Sequence, residues 1–84
     1  MNVRMDLHVK TSKIINFFSQ LEKKKIISQS SLANNVLISL GMANAILKKA
    51  ISKGFVKAKA APYKRYIYYL TKEGFTEKSR LVRE

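Results

Sequence analysis

The side chains that could do chemistry in this sequence are mostly cations. Lysine and arginine number 17 against 5 aspartates and glutamates, which gives a formal net charge of +12. The stretch from Lys23 through Lys72 contains no acidic residue. A basic surface of this kind favours a polyanion, because neutralising phosphates releases condensed counterions. Nucleic acid is therefore the predicted partner, and a solubilising lysine-rich surface is the alternative that charge alone leaves open. The acids all lie outside that stretch, at Asp6, Glu22, Glu73, Glu77 and Glu84.

Residues suited to catalysis or metal binding are few and scattered. The chain has no cysteine, which removes disulfides, thiolate nucleophiles and most structural zinc sites. His8 is the single histidine and has no pair of acids beside it, so neither a metal site nor a general base is expected. Paired carboxylates, a nucleophile motif and a glycine-rich phosphate loop are all missing from the sequence. We expect no enzyme activity, no cofactor and no small-molecule ligand.

Length and composition predict one intracellular domain. With 84 residues, of which 46% are hydrophobic, the chain can form one packed core. No apolar run approaches the roughly 20 residues that span a bilayer, and residues 1–10 lack the apolar core of a signal peptide. We expect a single domain over residues 1–84, with 1–10 as an arm or a helix extension, in the cytoplasm and associated with the nucleoid.

Apolar periodicity predicts a helix over Thr11–Lys24, where Ile14, Phe18 and Leu21 recur at helical spacing. Ile26 and Ile27 follow as a very short predicted strand. Ser28 is the predicted N-cap of a short helix over residues 29–36, which carries Leu32, Ala33 and Val36 on one face.

A third helix is predicted over Leu40–Lys53, with Ser39 as its N-cap and Gly54 as the residue after its end. Only Leu37 and Ile38 separate Ser39 from the preceding helix, so the two helices form a predicted helix-turn-helix. The predicted inward face consists of Ala43, Ile46, Leu47, Ala50 and Ile51.

After Gly54 the period changes from helical to alternating, which predicts a hairpin of strands 55–60 and 66–70 joined by an exposed loop, 61–65. Thr71 then caps a C-terminal helix over 72–84, with Phe75 facing inward. The expected fold is therefore α+β, mainly α: a three-helix core, a β-hairpin and a C-terminal helix.

Several short pieces in this order and spacing resemble winged helix-turn-helix transcriptional regulators of the MarR type. They are Ile27-Ser28-Gln29, Leu32-Ala33, Ile38 to Gly41, Ile46-Leu47-Lys48, Lys53 to Lys57 and Tyr69 to Gly74. The resemblance covers about residues 12–80 and implies a DNA-binding regulator whose hairpin is a wing. Leu37 departs from it, because such regulators often have glycine there, and a distorted or lengthened turn is expected. The length leaves room only for a reduced version of that family's dimerisation helices.

In a helix-turn-helix, the second helix enters the major groove and presents its solvent face to base edges. Residues 40–53 are the predicted recognition helix. Asn44 is the best candidate for reading a base, since its amide can pair bidentately with adenine, and the alternative is an ordinary exposed asparagine. Lys48 and Lys49 are expected to meet phosphates. The predicted outward positions are Gly41, Met42, Asn44, Ala45, Lys48 and Lys49.

Two further groups are candidate DNA contacts. Ser28, Gln29 and Ser39 lie at predicted helix starts, where free backbone N–H groups favour a phosphate; simple capping is the alternative, and both can hold. The wing, residues 57–66, combines charge with an aromatic side chain, and its Arg65 could reach a minor groove; a solvated loop is the alternative. The wing candidates are Lys57, Lys59, Tyr63, Lys64 and Arg65.

The tyrosines Tyr66, Tyr68 and Tyr69 could stack against single-stranded nucleic acid, but packing in the core and sheet is the favoured interpretation for most of them. The leading hypothesis is a sequence-specific regulator that binds double-stranded DNA as a homodimer. An RNA-binding or nonspecific architectural module is the first alternative, and a protein-interaction domain is the second. Every version requires the polar side of residues 40–53 to be uncovered and to lie next to the hairpin.

Overall fold

The computed structural model describes residues 9–22, 28–63 and 65–83. Over these residues the chain forms helices and one antiparallel hairpin in the expected order. The predicted strand at Ile26-Ile27, the end of the first predicted helix and most of the predicted arm lie outside the described residues. The elements are α1 Thr11–Glu22, α2 Gln29–Val36, α3 Leu40–Ser52, β1 Val56–Ala61, β2 Arg65–Leu70 and α4 Lys72–Arg83.

The helices and the hairpin enclose one hydrophobic core. Phe17 and Phe18 of α1 are fully buried, and the Phe18 ring meets Phe55 edge to face at 6.2 Å between centroids. The core also includes Ile14, Leu21, Leu32, Ala33, Val36, Ala43, Ile46, Leu47, Ala50, Val56, Tyr68, Leu70 and Leu81. The predicted inward residues of α1, α2 and α3 are thus confirmed, with one exception on α3.

Two predicted inward side chains are exposed instead. Ile51 is 42% exposed, because the buried stripe of α3 is centred on Ala43, Ile46, Leu47 and Ala50, and Ile51 lies at its edge. Phe75 is 46% exposed. The α4 residues that face the core are Gly74, Glu77 and Leu81, so this inward face includes a glycine and a glutamate that hydrophobicity does not reveal.

The axes of α2 and α3 meet at 108°, within the usual range for a helix-turn-helix. The turn closes α2 with two hydrogen bonds, from the Leu37 N–H to the Asn34 carbonyl (3.3 Å) and from the Ile38 N–H to the Ala33 carbonyl (3.0 Å). This is a Schellman motif, which usually has glycine at its left-handed position. The predicted distortion or lengthening of the turn is wrong, because Leu37 itself adopts the left-handed backbone, with φ 61° and ψ 51°.

The same motif ends α3. The Gly54 N–H donates to the Ile51 carbonyl (3.1 Å), and the Phe55 N–H donates to the Ala50 carbonyl (2.8 Å). Gly54 has a φ of 81°, as predicted for the residue that follows this helix. The fold therefore contains two equivalent turns, one with leucine and one with glycine at the left-handed position.

The hairpin register pairs Val56 with Leu70 and Ala61 with Arg65. The predicted loop of five residues is therefore too long: Ala61 and Arg65 belong to the strands, and the loop consists of residues 62–64. Tyr63 in this loop is left-handed, with a φ of 64°.

Contacts around Thr71 hold the hairpin and α4 to the end of α3. The Thr71 hydroxyl donates to the Gly54 carbonyl (2.6 Å) and accepts from the Gly74 N–H (3.0 Å), which confirms Thr71 as the cap of α4. The Thr71 N–H donates to the Phe55 carbonyl (2.9 Å). Gly74 is required by this packing, because a Cβ built on it would lie 2.2 Å from the Phe55 carbonyl oxygen.

No single helix within the described ranges is long and apolar enough to cross a membrane. The bent pair α2 and α3 reaches that threshold by length and composition only. Its apolar side chains, among them Leu32, Val36, Ile46 and Leu47, lie in the core described above.

Candidate nucleic-acid interface

The outward face of α3 is largely open. Gly41, Lys48 and Lys49 are exposed, and Asn44 and Ala45 are half-buried. Met42, also predicted to point outward, is half-buried and packs against the edge of the core, so it fills a gap there. The structure thus leaves the polar side of the helix uncovered, as the sequence-based hypothesis requires.

Asn44 has a hydrogen-bond partner that the sequence did not predict. The Gln29 side-chain amide donates from Nε2 to Asn44 Oδ1 at 3.3 Å and so joins the first residue of α2 to the middle of α3. Both side chains are half-buried. Among the described residues, the Asn44 Nδ2 donor and the Gln29 Oε1 acceptor have no hydrogen-bond partner. The pair therefore presents one donor and one acceptor from two helices, where the sequence suggested a single reading residue and a separate phosphate ligand.

Ser28 and Ser39 are confirmed as N-caps. Ser28 Oγ accepts from the Ser31 N–H at 3.1 Å, and Ser39 Oγ accepts from the Met42 N–H at 3.0 Å. Each hydroxyl thus satisfies one of the backbone donors that a helix start leaves free. Both serines are exposed.

Lys13 of α1 supports the turn of the helix-turn-helix. Its Nζ donates to the Val36 carbonyl at 3.0 Å and lies 3.4 Å from the Leu37 carbonyl. No role was predicted for Lys13 from the sequence. A signal was present, because α2 has no basic residue in its last turn to meet the negative end of its dipole.

The hairpin separates its cations from its core residues. Lys57, Lys59 and Arg65 are exposed, and their cross-strand partners are Tyr69, Ile67 and Ala61, so all six side chains share one face of the ribbon. On the opposite face, the paired residues Val56 and Leu70 lie in the core. Ala58 and Ala60 follow on the same face, nearer the loop, and are exposed. Tyr63 at the loop is 91% exposed. Lys64 lies outside the described residues.

The three tyrosines of β2 have different environments. Tyr68 is buried in the core and Tyr69 is half-buried, in agreement with the packing interpretation. Tyr66 is 53% exposed, and its ring stacks on Tyr68 at 6.3 Å between centroids. Tyr66 therefore lies beyond the core, on the face of the ribbon opposite Lys57 and Lys59.

Acidic side chains are restricted to α1 and α4 within the described ranges. Glu22 forms an ion pair with Lys78, and the buried Glu77 accepts from Arg80 Nε at 2.9 Å and from Arg80 NH2 at 2.7 Å. Glu73 lies in the first turn of α4. The helix-turn-helix and the hairpin carry no acid, so the basic charge is concentrated on these elements.

Comparison with known proteins bears on the fold. No family model and no curated protein matches the sequence. A solved structure described as a zinc-responsive MarR family member, ZitR of Lactococcus lactis, is similar with a TM-score of 0.64 and 16% identity, over 99% of this chain and 60% of that chain. The chain has a winged-helix fold. The expected fold class is thus confirmed, and this chain spans 60% of the length of that protein.

Proposed function

We propose that this winged helix binds double-stranded DNA in a sequence-specific manner as a small transcriptional regulator, and that it does so without catalysis or a cofactor. The observation that carries the proposal is the uncovered polar face of α3, together with a hairpin that follows this helix in the chain and has exposed cations on one face, on elements without any acid. We also propose that it works in the cytoplasm, on the nucleoid.

The outward face of α3 suits a close approach to DNA. Its centre repeats Gly41, Ala45, Lys48 and Ser52 at helical spacing, so small side chains come first and a cation follows. Because the N-terminal end of a recognition helix goes deepest into the major groove, the small residues let the helix backbone approach the base edges there. Lys48 and Lys49 then meet the phosphates that border the groove.

Base reading falls to the pair formed by Gln29 and Asn44. The amide oxygen of Asn44 already accepts from Gln29, so the donor that remains is Asn44 Nδ2 and the acceptor that remains is Gln29 Oε1. A donor and an acceptor side by side match the N7 and N6 groups of adenine in the major groove. Gln29 thereby acts as a positioning and reading residue, in addition to any phosphate contact at the start of α2.

The wing, residues 57–66, supplies sequence-independent affinity. Lys57, Lys59 and Arg65 share one face, and the exposed Tyr63 lies in the loop beyond them. Lys64 is proposed as a further cationic contact from its place in the sequence. Cations at this position contact the phosphate backbone or, through Arg65, an adjacent minor groove. The cap residues Ser28 and Ser39 add phosphate contacts through the backbone N–H groups beside them.

The proposed assembly is a homodimer on a palindromic site. One small module buries limited DNA surface, and pairing doubles it. The surface that supports this is on α4, where Phe75 and Val82 are 46% and 60% exposed and lie two turns apart on one side of the helix.

The test is selection of bound duplexes from a random pool, followed by competition at one fixed salt concentration. The proposal expects an enriched motif, and it expects the enriched duplex to displace a labelled probe at least about a hundredfold better than random duplex, within the usual specificity range. If random duplex competes equally well, the hypothesis of a nonspecific architectural protein replaces the proposal. A preference for double-stranded RNA would favour the RNA-binding alternative. If the protein binds no nucleic acid at moderate salt, the remaining hypothesis is a protein-interaction domain.

A further inference from the structure

Two large apolar side chains lie exposed at the leading end of the proposed recognition helix. Leu37, in the turn, is 80% exposed, and Leu40, the first residue of α3, is 52% exposed. Leu40 lies three positions after Leu37 in the chain, and Ser39, directly before Leu40, caps the helix. We call these two leucines the apolar tip. Both lie at the helix end that the proposed function places in the major groove, so a bound duplex would cover them.

The turn does not need the leucine at position 37. Leu37 occupies the left-handed site of a Schellman motif, and the equivalent site after α3 is held by Gly54. Left-handed backbone is costly for a residue with a Cβ, so glycine would form the same turn with less strain. The Leu37 side chain also adds nothing to the core, because it points into solvent. Its contribution therefore lies outside the folded molecule.

The surroundings of the apolar tip indicate the chemistry of its partner. Lys13 Nζ lies 3.4 Å from the Leu37 carbonyl, and no acidic residue occurs from Lys23 through Lys72. The partner must therefore offer apolar groups within a strongly anionic surface. In the major groove of DNA the 5-methyl group of thymine is such a group, and it lies among base edges bordered by phosphates.

We propose that Leu37 and Leu40 bind thymine methyl groups in the major groove and so give this protein a preference for thymine-containing steps at the leading end of α3. The inference rests on the proposed function, because it requires α3 to enter the major groove. It adds a second reading element that works by apolar contact, beside the hydrogen-bonding pair of Gln29 and Asn44.

Two pairs of duplex polymers isolate the methyl group. Alternating poly(dA-dT) and poly(dA-dU) differ only in the thymine methyl, and poly(dG-dC) gains a methyl at the same groove position when cytosine is replaced by 5-methylcytosine. Each polymer is titrated by fluorescence anisotropy at the same salt concentration. We expect about fourfold weaker binding when thymine is replaced by uracil, as for the loss of one buried methyl group, and tighter binding to the methylated cytosine polymer.

Variants of the apolar tip connect the effect to these residues. Leu40→Ala and Leu37→Gly should each reduce the ratio between poly(dA-dT) and poly(dA-dU) towards one while leaving binding to poly(dA-dU) within about twofold of the original. Glycine suits the left-handed turn, so Leu37→Gly retains the fold, which circular dichroism verifies. Ile51→Ala removes another exposed apolar side chain, 42% exposed at the far end of α3, and should keep the full ratio.

The outcomes are distinguishable. Equal binding of the original protein to poly(dA-dT) and poly(dA-dU) overturns the methyl contact and leaves DNA binding intact. Equal weakening of both polymers by the leucine variants also overturns it, because the leucines would then act without regard to the methyl. Failure to bind any of the duplexes overturns the proposed function and this inference together.

Discussion

At the scale of single residues, Leu37 and Gly54 form an internal comparison. Both occupy the left-handed site of a Schellman motif, and nothing lies within 4 Å of a Cβ built on Gly54. Any difference between leucine and glycine at these sites therefore comes from the backbone conformation and not from packing.

We predict that Leu37→Gly raises the free energy of unfolding by about 1 kcal/mol and that Gly54→Ala lowers it by a similar amount. The reason is the strain of left-handed backbone in a residue with a Cβ, partly offset by the greater entropy of glycine in the unfolded chain. Urea denaturation followed by circular dichroism measures both. A loss of stability in Leu37→Gly would show that the leucine packs against the fold after all.

The pair of Gln29 and Asn44 predicts a coupled effect on DNA recognition. Asn44→Ala should relax the preference for the selected duplex over random duplex, and Gln29→Ala should do so as well, because each loses the orientation that the other provides. The double variant should lose less than the sum of the two, with a coupling energy of about 1 kcal/mol. Competition binding of all four proteins measures this, and Gln20→Ala on α1 is the control. Strict additivity would contradict the pairing, and an unchanged preference in Asn44→Ala would remove Asn44 as a reader.

Residue types predicted the helix caps, but they did not predict which side chains of different helices form hydrogen bonds with each other. Ser28, Ser39, Thr71 and Gly54 act locally, within a few positions of the helix ends that they close, so their roles were readable from the sequence. The hydrogen bond between Gln29 and Asn44 depends on the 108° angle between α2 and α3, which no local pattern encodes.

At the scale of elements, the junction between the hairpin and α4 requires a glycine. We predict that Gly74→Ala lowers the free energy of unfolding by at least about 2 kcal/mol, because its Cβ would lie 2.2 Å from a backbone oxygen and 2.6 Å from Leu70 Cδ1. Gly41→Ala is the matched control: it is also in a helix, nothing lies within 4 Å of its Cβ, and alanine there should raise stability by up to about 1 kcal/mol. Urea denaturation of both separates them. Equal effects would mean that α4 does not pack as described.

The cationic face of the hairpin predicts a uniform loss of DNA affinity. Lys59→Ala combined with Arg65→Ala should weaken binding to selected and random duplexes alike and should reduce the slope of log affinity against log salt by roughly two, since each contact releases about one counterion. Lys78→Ala, on α4, should change neither, because Lys78 pairs with Glu22. A loss confined to the selected duplex would instead assign base reading to the hairpin.

Element types and order were predictable, and the faces of some elements were not. Apolar periodicity identified the buried stripes of α1, α2 and α3, apart from Ile51, because these stripes are hydrophobic. It failed for α4, where the buried Glu77 is satisfied by Arg80 and Gly74 leaves space for the Phe55 carbonyl. The loop was predicted too long because the strand pairing continues through Ala61 and Arg65, which have no strong strand preference of their own.

At the scale of the whole molecule, the proposed pairing surface is on α4. We predict a dimer in solution, and we expect Phe75→Lys combined with Val82→Lys to give a monomer of unchanged fold, since both side chains are exposed and a charge there opposes an apolar interface. Thr76→Lys, about 100° around α4 from Phe75, should remain dimeric. Gel filtration with light scattering, free and with DNA, measures the mass. A monomer of the original protein under both conditions would contradict the dimer.

The attachment of the hairpin to the end of α3 has a consequence for any duplex that meets both elements at once. The Thr71 hydroxyl donates to the Gly54 carbonyl, and the Thr71 N–H donates to the Phe55 carbonyl. These hydrogen bonds fix the spacing between α3 and the hairpin within the folded chain. A target whose groove dimensions differ from that spacing must itself bend or widen to be held. Binding strength should therefore vary with the stiffness of base steps that no side chain touches, and flexible pyrimidine–purine steps between the two contact points should be favoured.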